Sequence, residues 1–162
     1  MTVNELVARS LTSSTGMLSS TLADFSDAEM MVRPVPAANH ATWQLGHLVV
    51  AAHGMLSGSG APLPALPAGF AERYTKETAG SNDPKKFDSK AELLSSLTWV
   101  NEAAAKWAKT LTAADLSKAA PESLRSFCPT VADVLNLQAV HMAMHMGQMQ
   151  VIRRKLGKPV MF

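Results

Sequence analysis

A single cysteine, Cys128, stands in 162 residues. That excludes an internal disulfide and any CxxC zinc or redox motif. One thiol fits a reducing, cytoplasmic setting. Charge is sparse too: 15 Lys and Arg face 13 Asp and Glu, a net +2. So even a balance leaves no nucleic-acid footprint. The densest basic cluster, Arg153-Arg154-Lys155 with Lys158 beyond it, falls at the end of a predicted helix. There it offsets the partial negative charge of the last carbonyls. Long apolar runs are missing. The longest, Leu48 to Leu56, is broken by His53 and is far too short to span a bilayer. Met1 to Leu6 shows neither a basic start nor an apolar core, so no signal peptide is expected. The expectation is a soluble, cytoplasmic chain that touches neither nucleic acid nor membrane. At this length it should form one domain over residues 1–162.

Apolar residues make up 47% of the chain, and their spacing is helical throughout, with no strand-like alternation. The first helix is predicted from Val3 to Phe25, with Val7, Leu11, Leu18, Leu22 and Phe25 on one face. Ser26 and Glu29 have capping-box spacing and predict a short extra turn. Pro34 and Pro36 stop it. The second helix should begin near Asn39, a good N-cap residue, and run to about Leu56. From Ser57 to Asp88 lies a connection rich in Gly and Pro, with at most one helical turn around Phe70 to Thr78. A connection that long is unusual, but in a bundle it lets two consecutive helices run parallel. Ser89 and Glu92 open the third helix, which runs to about Leu111, and Thr112 with Asp115 predicts another short turn. The fourth starts at Thr130 and Asp133, runs to Lys155, and ends at Gly157 and Pro159. The fold class is all-α.

The chemistry lies in the histidines. His141 and His145 are four apart, so their imidazoles share one face of the fourth helix, and two such rings can reach one ion. That helix reads as apolar nearly all round and therefore largely buried. Gln138, His141, His145 and Gln148 form its polar stripe. Each buried polar group left without a partner costs about 1–3 kcal/mol, so something polar must face the stripe. Two readings satisfy it: a metal ion, or a hydrogen-bonded polar layer between helices. In the metal reading His47, midway along the second helix, supplies the third ligand, and Gly46 beside it permits a close helix approach. His40 reads as a residue of the first turn or the cavity rim, and His53 as structural.

These residues resemble a known family. Asn39-His40-Ala41-Thr42-Trp43-Gln44-Leu45-Gly46-His47-Leu48, then His141-x-x-x-His145-x-Gly147-Gln148, then Arg153-Arg154-Lys155-Leu156-Gly157-Lys158-Pro159 look like the DinB superfamily. The resemblance implies a four-helix bundle, up-down-down-up, with a long crossover between helices two and three. It implies one divalent metal, zinc or nickel, on His47, His141 and His145, and a homodimer. Gln44, Gln138, Gln148 and His40 are the candidates to back the ligands or line the cavity. Members with known activity are similar to metal-dependent hydrolases of the YfiT type, or to thiol-dependent S-transferases and isomerases.

Three neutral imidazoles leave coordination positions open for water or a small-molecule substrate. An ion so held lowers the pKa of a bound water to near 7, or keeps a low-molecular-weight thiol deprotonated. The inward stripe of the fourth helix offers no carboxylate as general base, and Glu102 reads as an exposed glutamate. That tilts the expectation towards thiol or small-molecule binding over hydrolysis. A non-catalytic metal-binding or stress-response bundle is the competing reading. The connection from Ser57 to Asp88, with Phe70, Glu72 and Tyr74, is the expected lid. Cys128 reads as a plain buried thiol, although the nearby helix start would depress its pKa. The ten methionines read as core filler, and Trp43, Trp99 and Trp107 as core or interface aromatics.

Overall fold

Short-range hydrogen bonds start most of the helices. A computed structural model describes residues 1–161, and six α-helices lie among the described residues, with no strand. They are α1 (Val3–Leu22), α2 (Asp27–Met30), α3 (Ala41–Gly58), α4 (Lys90–Thr110), α5 (Ala113–Leu116) and α6 (Val131–Lys155). All but α3 start at a Ser or Thr that takes the N–H three residues on, while an acidic side chain there reaches back to the cap's own N–H. These five capping boxes satisfy backbone donors that the helix itself leaves free.

The exception is α3. Its cap is His40, whose Nδ1 accepts the Trp43 N–H at 3.1 Å, one residue beyond the expected Asn39. The Asn39 carbonyl instead accepts from Gln44 Nε2 at 2.8 Å. With Nδ1 an acceptor, Nε2 of His40 carries the proton and donates to the Ser81 carbonyl at 3.1 Å.

α1 packs on α4 and α6, and α3 packs on the same two. The core between them includes Leu11, Leu18 and Leu22 from the predicted face of α1, with Leu45 and Leu48 of α3 and Leu93 and Leu97 of α4, all fully buried. The fourth long helix, α6, departs from its expected all-round burial. Val140, Met144 and Val151 are 45–57% exposed, because its contacts with α1 and α3 cover one face only. The buried line runs through Gln138, Met142, His145, Met149 and Ile152. Gln148 points outward, and Gln150 is buried in its stead.

The connection from Ser57 to Asp88 is not a loose lid. It contains 3-10 turns at Ala71–Tyr74 and Pro84–Lys86, and side chains fasten it. Asp88 takes two hydrogen bonds from Arg73, at 3.0 and 3.1 Å, and one from the Tyr74 hydroxyl at 2.8 Å. Arg33 donates to the carbonyls of Ala79 and Ser81 and to the Asn82 side chain. His53 Nε2 donates to the Pro64 carbonyl at 2.8 Å. Phe70 and Tyr74 are buried, and Glu72 is exposed. The Tyr74 ring lies so close to Gly46 that a Cβ there would sit 2.1 Å from it. Gly46 thus admits a tyrosine rather than a second helix.

The basic cluster also does more than offset the end of α6. Gly157, at φ +69°, stops the helix, with Lys158 N–H returning to the Arg153 carbonyl and Gly157 N–H to Arg154, a Schellman end. Arg153 is only 2% exposed. Its guanidinium donates to both Asp24 oxygens and to the carbonyls of Thr21 and Pro159, and lies over the Phe25 ring. Removing it would strand those carbonyls and open a void beside Phe25. Arg153→Ala is expected to lower the thermal midpoint by roughly 5–10 °C, whereas Arg154→Ala, exposed on the same turn, should stay within about 2 °C of the parent. Differential scanning calorimetry of the two variants checks this.

Candidate metal centre

α3 and α6 bring three imidazoles to one place. One ring nitrogen from each of His47, His141 and His145 lies within 4.8 Å of the others. Among the described residues this is the one group of three or more His, Cys, Asp or Glu side chains so placed. Ring centroids are 4.8 Å apart for His141 and His145, and 5.2 and 5.3 Å from His47 to each of them. The Nε2 atoms of His141 and His145 are 3.2 Å apart. Two nitrogens bound tetrahedrally at 2.0–2.1 Å are separated by roughly 3.3 Å, so this pair already spans one edge of such a site.

A chain of hydrogen bonds orients His145. The Asn39 carbonyl, an acceptor, draws the Gln44 amide N–H. That leaves Gln44 Oε1 facing His145 Nδ1 at 2.9 Å. His145 therefore carries its proton on Nδ1 and presents the Nε2 lone pair to the centre, the arrangement by which metal-bound histidines are held. His141 Nδ1 is buried without a hydrogen-bond partner. Trp43, one turn before His47 on α3, stacks on it with centroids 5.0 Å apart and planes 5° from parallel. One turn before His141 on α6, Gln138 Nε2 donates to Asn101 Oδ1 at 3.0 Å, deep in the core, while Gln138 Oε1 is buried without a partner.

Burial sets the protonation. His145 is pushed down to about 3, chiefly by burial and secondarily by His141 and His47. Burial also lowers His47, and lowers His141 with a further contribution from His47. Three rings kept neutral near pH 7 are what a cation requires of its ligands. The donor set and its neutrality fit a divalent ion, and the cluster is compatible with one.

A profile of the DinB superfamily matches residues 10–149. The chain belongs to the DinB superfamily. No curated protein matches this DinB chain in sequence. A crystal structure of a conserved protein from Enterococcus faecalis is similar to it, with a TM-score of 0.68 and 20% identity over 98% of this chain and 99% of that one. At that identity the likeness concerns the fold.

The other candidates lie apart from this DinB cluster or behind it. Gln44 touches His145 directly. Gln138 is buried one turn from His141, Gln148 faces solvent, and His40 caps α3. Glu102 is exposed and lines a cleft of about 170 Å³ between α1 and α4 with Thr12 and Ser19. Cys128 is buried, and burial, aided by Asp133, raises its thiol pKa; the helix start does not win. Trp43 reads from the sequence as a core or interface aromatic, although its spacing of four from His47 is the signal that places it on the ring.

Burial likewise pushes His40 down to about 4. The unfolded chain takes up these protons near pH 6.5, while the folded chain holds His40 and His145 neutral until about 4 and about 3. Their stabilisation is complete above pH 6.5 and falls away as the pH drops below it. At pH 5, where most carboxylates are still ionised, the two together should cost the metal-free protein on the order of 4 kcal/mol. The expected result is a clearly lower urea midpoint at pH 5 than at pH 7; equal midpoints would contradict the burial of these rings.

Proposed function

We propose that this DinB-superfamily chain holds one divalent transition-metal ion, zinc or nickel, on His47, His141 and His145, and works as a metal-dependent enzyme on a small molecule. The observation that carries it is His47. A hydrogen-bonded layer accounts for the α6 pair, since His145 donates to Gln44 and can accept from His141. It gives no reason for a third imidazole from another helix to turn its ring onto the same point.

When bound, the ion supplies a Lewis acid with positions open to a ligand. The chain's own contributions are specific. Gln44 holds His145 in the tautomer that offers Nε2, burial keeps all three rings neutral, and His47 and His141, both half-buried, form the side open to solvent. The cluster contains no carboxylate, so no acidic side chain among the ligands can serve as a general base. That favours transfer or isomerisation with a low-molecular-weight thiol as co-substrate over hydrolysis.

The pairing of α1 and α3 each with α4 and α6 supports an up-down-down-up four-helix bundle, crossed over between the second and third long helices, in a single domain. Among the described residues no helix is long and apolar enough to cross a membrane, and the buried lone cysteine agrees with a cytoplasmic protein. The exposed Val140, Met144 and Val151 offer a homodimer an apolar face.

Metal analysis of the purified protein should find about one equivalent in the wild type and none in His141→Ala. Zinc added to the metal-free protein at 100 times its Kd should stabilise it by about 2.7 kcal/mol. Assays pairing small thiols with electrophilic substrates, alongside ester and amide substrates, then decide the chemistry. Turnover that survives removal of the ion rules out the enzyme proposed here. A bound ion without turnover on any of these substrates leaves the non-catalytic metal-binding reading.

A further inference from the structure

The segment that contributes no ligand nonetheless holds one. The Trp43 indole, only 6% exposed, has its Nε1–H between the Thr75 carbonyl at 3.1 Å and the Thr78 hydroxyl at 3.2 Å. The Thr78 hydroxyl is itself fixed, because its own proton goes to the carbonyls of Arg73 and Thr75, both at 2.9 Å. Its lone pair is thereby aimed at the indole. The opposite end of this contact is the His47 ring, parallel to the indole to within 5°. An indole free to turn about its χ angles would let the imidazole turn with it; an indole pinned at Nε1 cannot.

We propose that Thr78, acting through Trp43, is the positioning residue for His47, so that the crossover segment controls the affinity of the metal centre. The proposal rests on the metal reading above and adds to it a residue thirty-one positions away from the ligand it governs. Loss of a group that orients a metal ligand from behind lowers affinity by about 10–100-fold. Thr78→Val keeps the shape and removes one of the indole's two acceptors together with the hydroxyl that fixes the other, the Thr75 carbonyl; Thr78→Ser restores both, and Trp43→Phe keeps an aromatic face without an N–H.

Two measurements test this. Zinc affinity, read by competition with a chromophoric chelator, should weaken about 10–100-fold in Thr78→Val and Trp43→Phe and return to near the wild-type value in Thr78→Ser. In the metal-free protein, NMR should find the His47 ring protons shifted upfield by the stacked indole, and that shift should shrink in Thr78→Val. Wild-type affinity in both weakened variants overturns the proposal, as does an equal loss in Thr78→Ser and Thr78→Val. If the wild type takes up no zinc, the metal reading fails, and the ring shift alone then decides whether Thr78 holds His47: a shift unchanged in Thr78→Val overturns it.

Discussion

The structure turns on the rotational setting of α3 against α6. His47 meets His141 and His145 only if each helix presents one particular face to the other, and a turn of one residue, about 100° around an α-helix, would part them. Gln44 is bound into the same setting, since it touches Asn39 at the start of α3 and His145 on α6. The hydrogen bond that orients the His145 ring therefore also ties the two helices in register. Burial completes the constraint by making the charged imidazoles costly, so the rings remain lone-pair donors.

Around this pair, irregular chain is held by side chains reaching for backbone carbonyls. Arg33, His40 and Trp43 hold the segment between Thr75 and Ser81. Arg153 holds the end of α1 and the tail at Pro159. Lys90, at the start of α4, donates to the carbonyls of Leu22, Ala23 and Phe25, placing a cation where the last carbonyls of α1 carry partial negative charge. A chain with few charges thus uses many of them internally. Buried donors need acceptors, and carbonyls at helix ends and in turns are the acceptors left over. The long crossover is fastened for this reason, and it meets α3 beside the centre through Tyr74 at Gly46 and Thr78 at Trp43.

Much of this was legible beforehand because its causes are local. Ser26, Ser89, Thr112 and Thr130, each followed by an acid three residues on, mark real helix starts, since a capping box closes within four residues and needs no neighbour. Asn39 misled because the His40 tautomer and the setting of the Gln44 amide on the Asn39 carbonyl depend on distant groups, Ser81 and His145. The apolar composition of α6 misled in a different way: residue type does not say how many neighbours a helix has, and α6 has partners on one face only. The outward Gln148 and inward Gln150 follow from the same cause.

By itself, then, the sequence determined the all-α class, nearly every helix start, and two imidazoles one turn apart, because caps and periodicity act within a few residues. It also carried the family motifs that named His47. Tertiary structure alone decided that His47 turns onto that pair, that Gln44 selects the His145 tautomer, and that Trp43 and Thr78 stand behind His47. Those contacts join residues up to 101 positions apart, and their geometry depends on how the helices are rotated when packed, which no local pattern specifies.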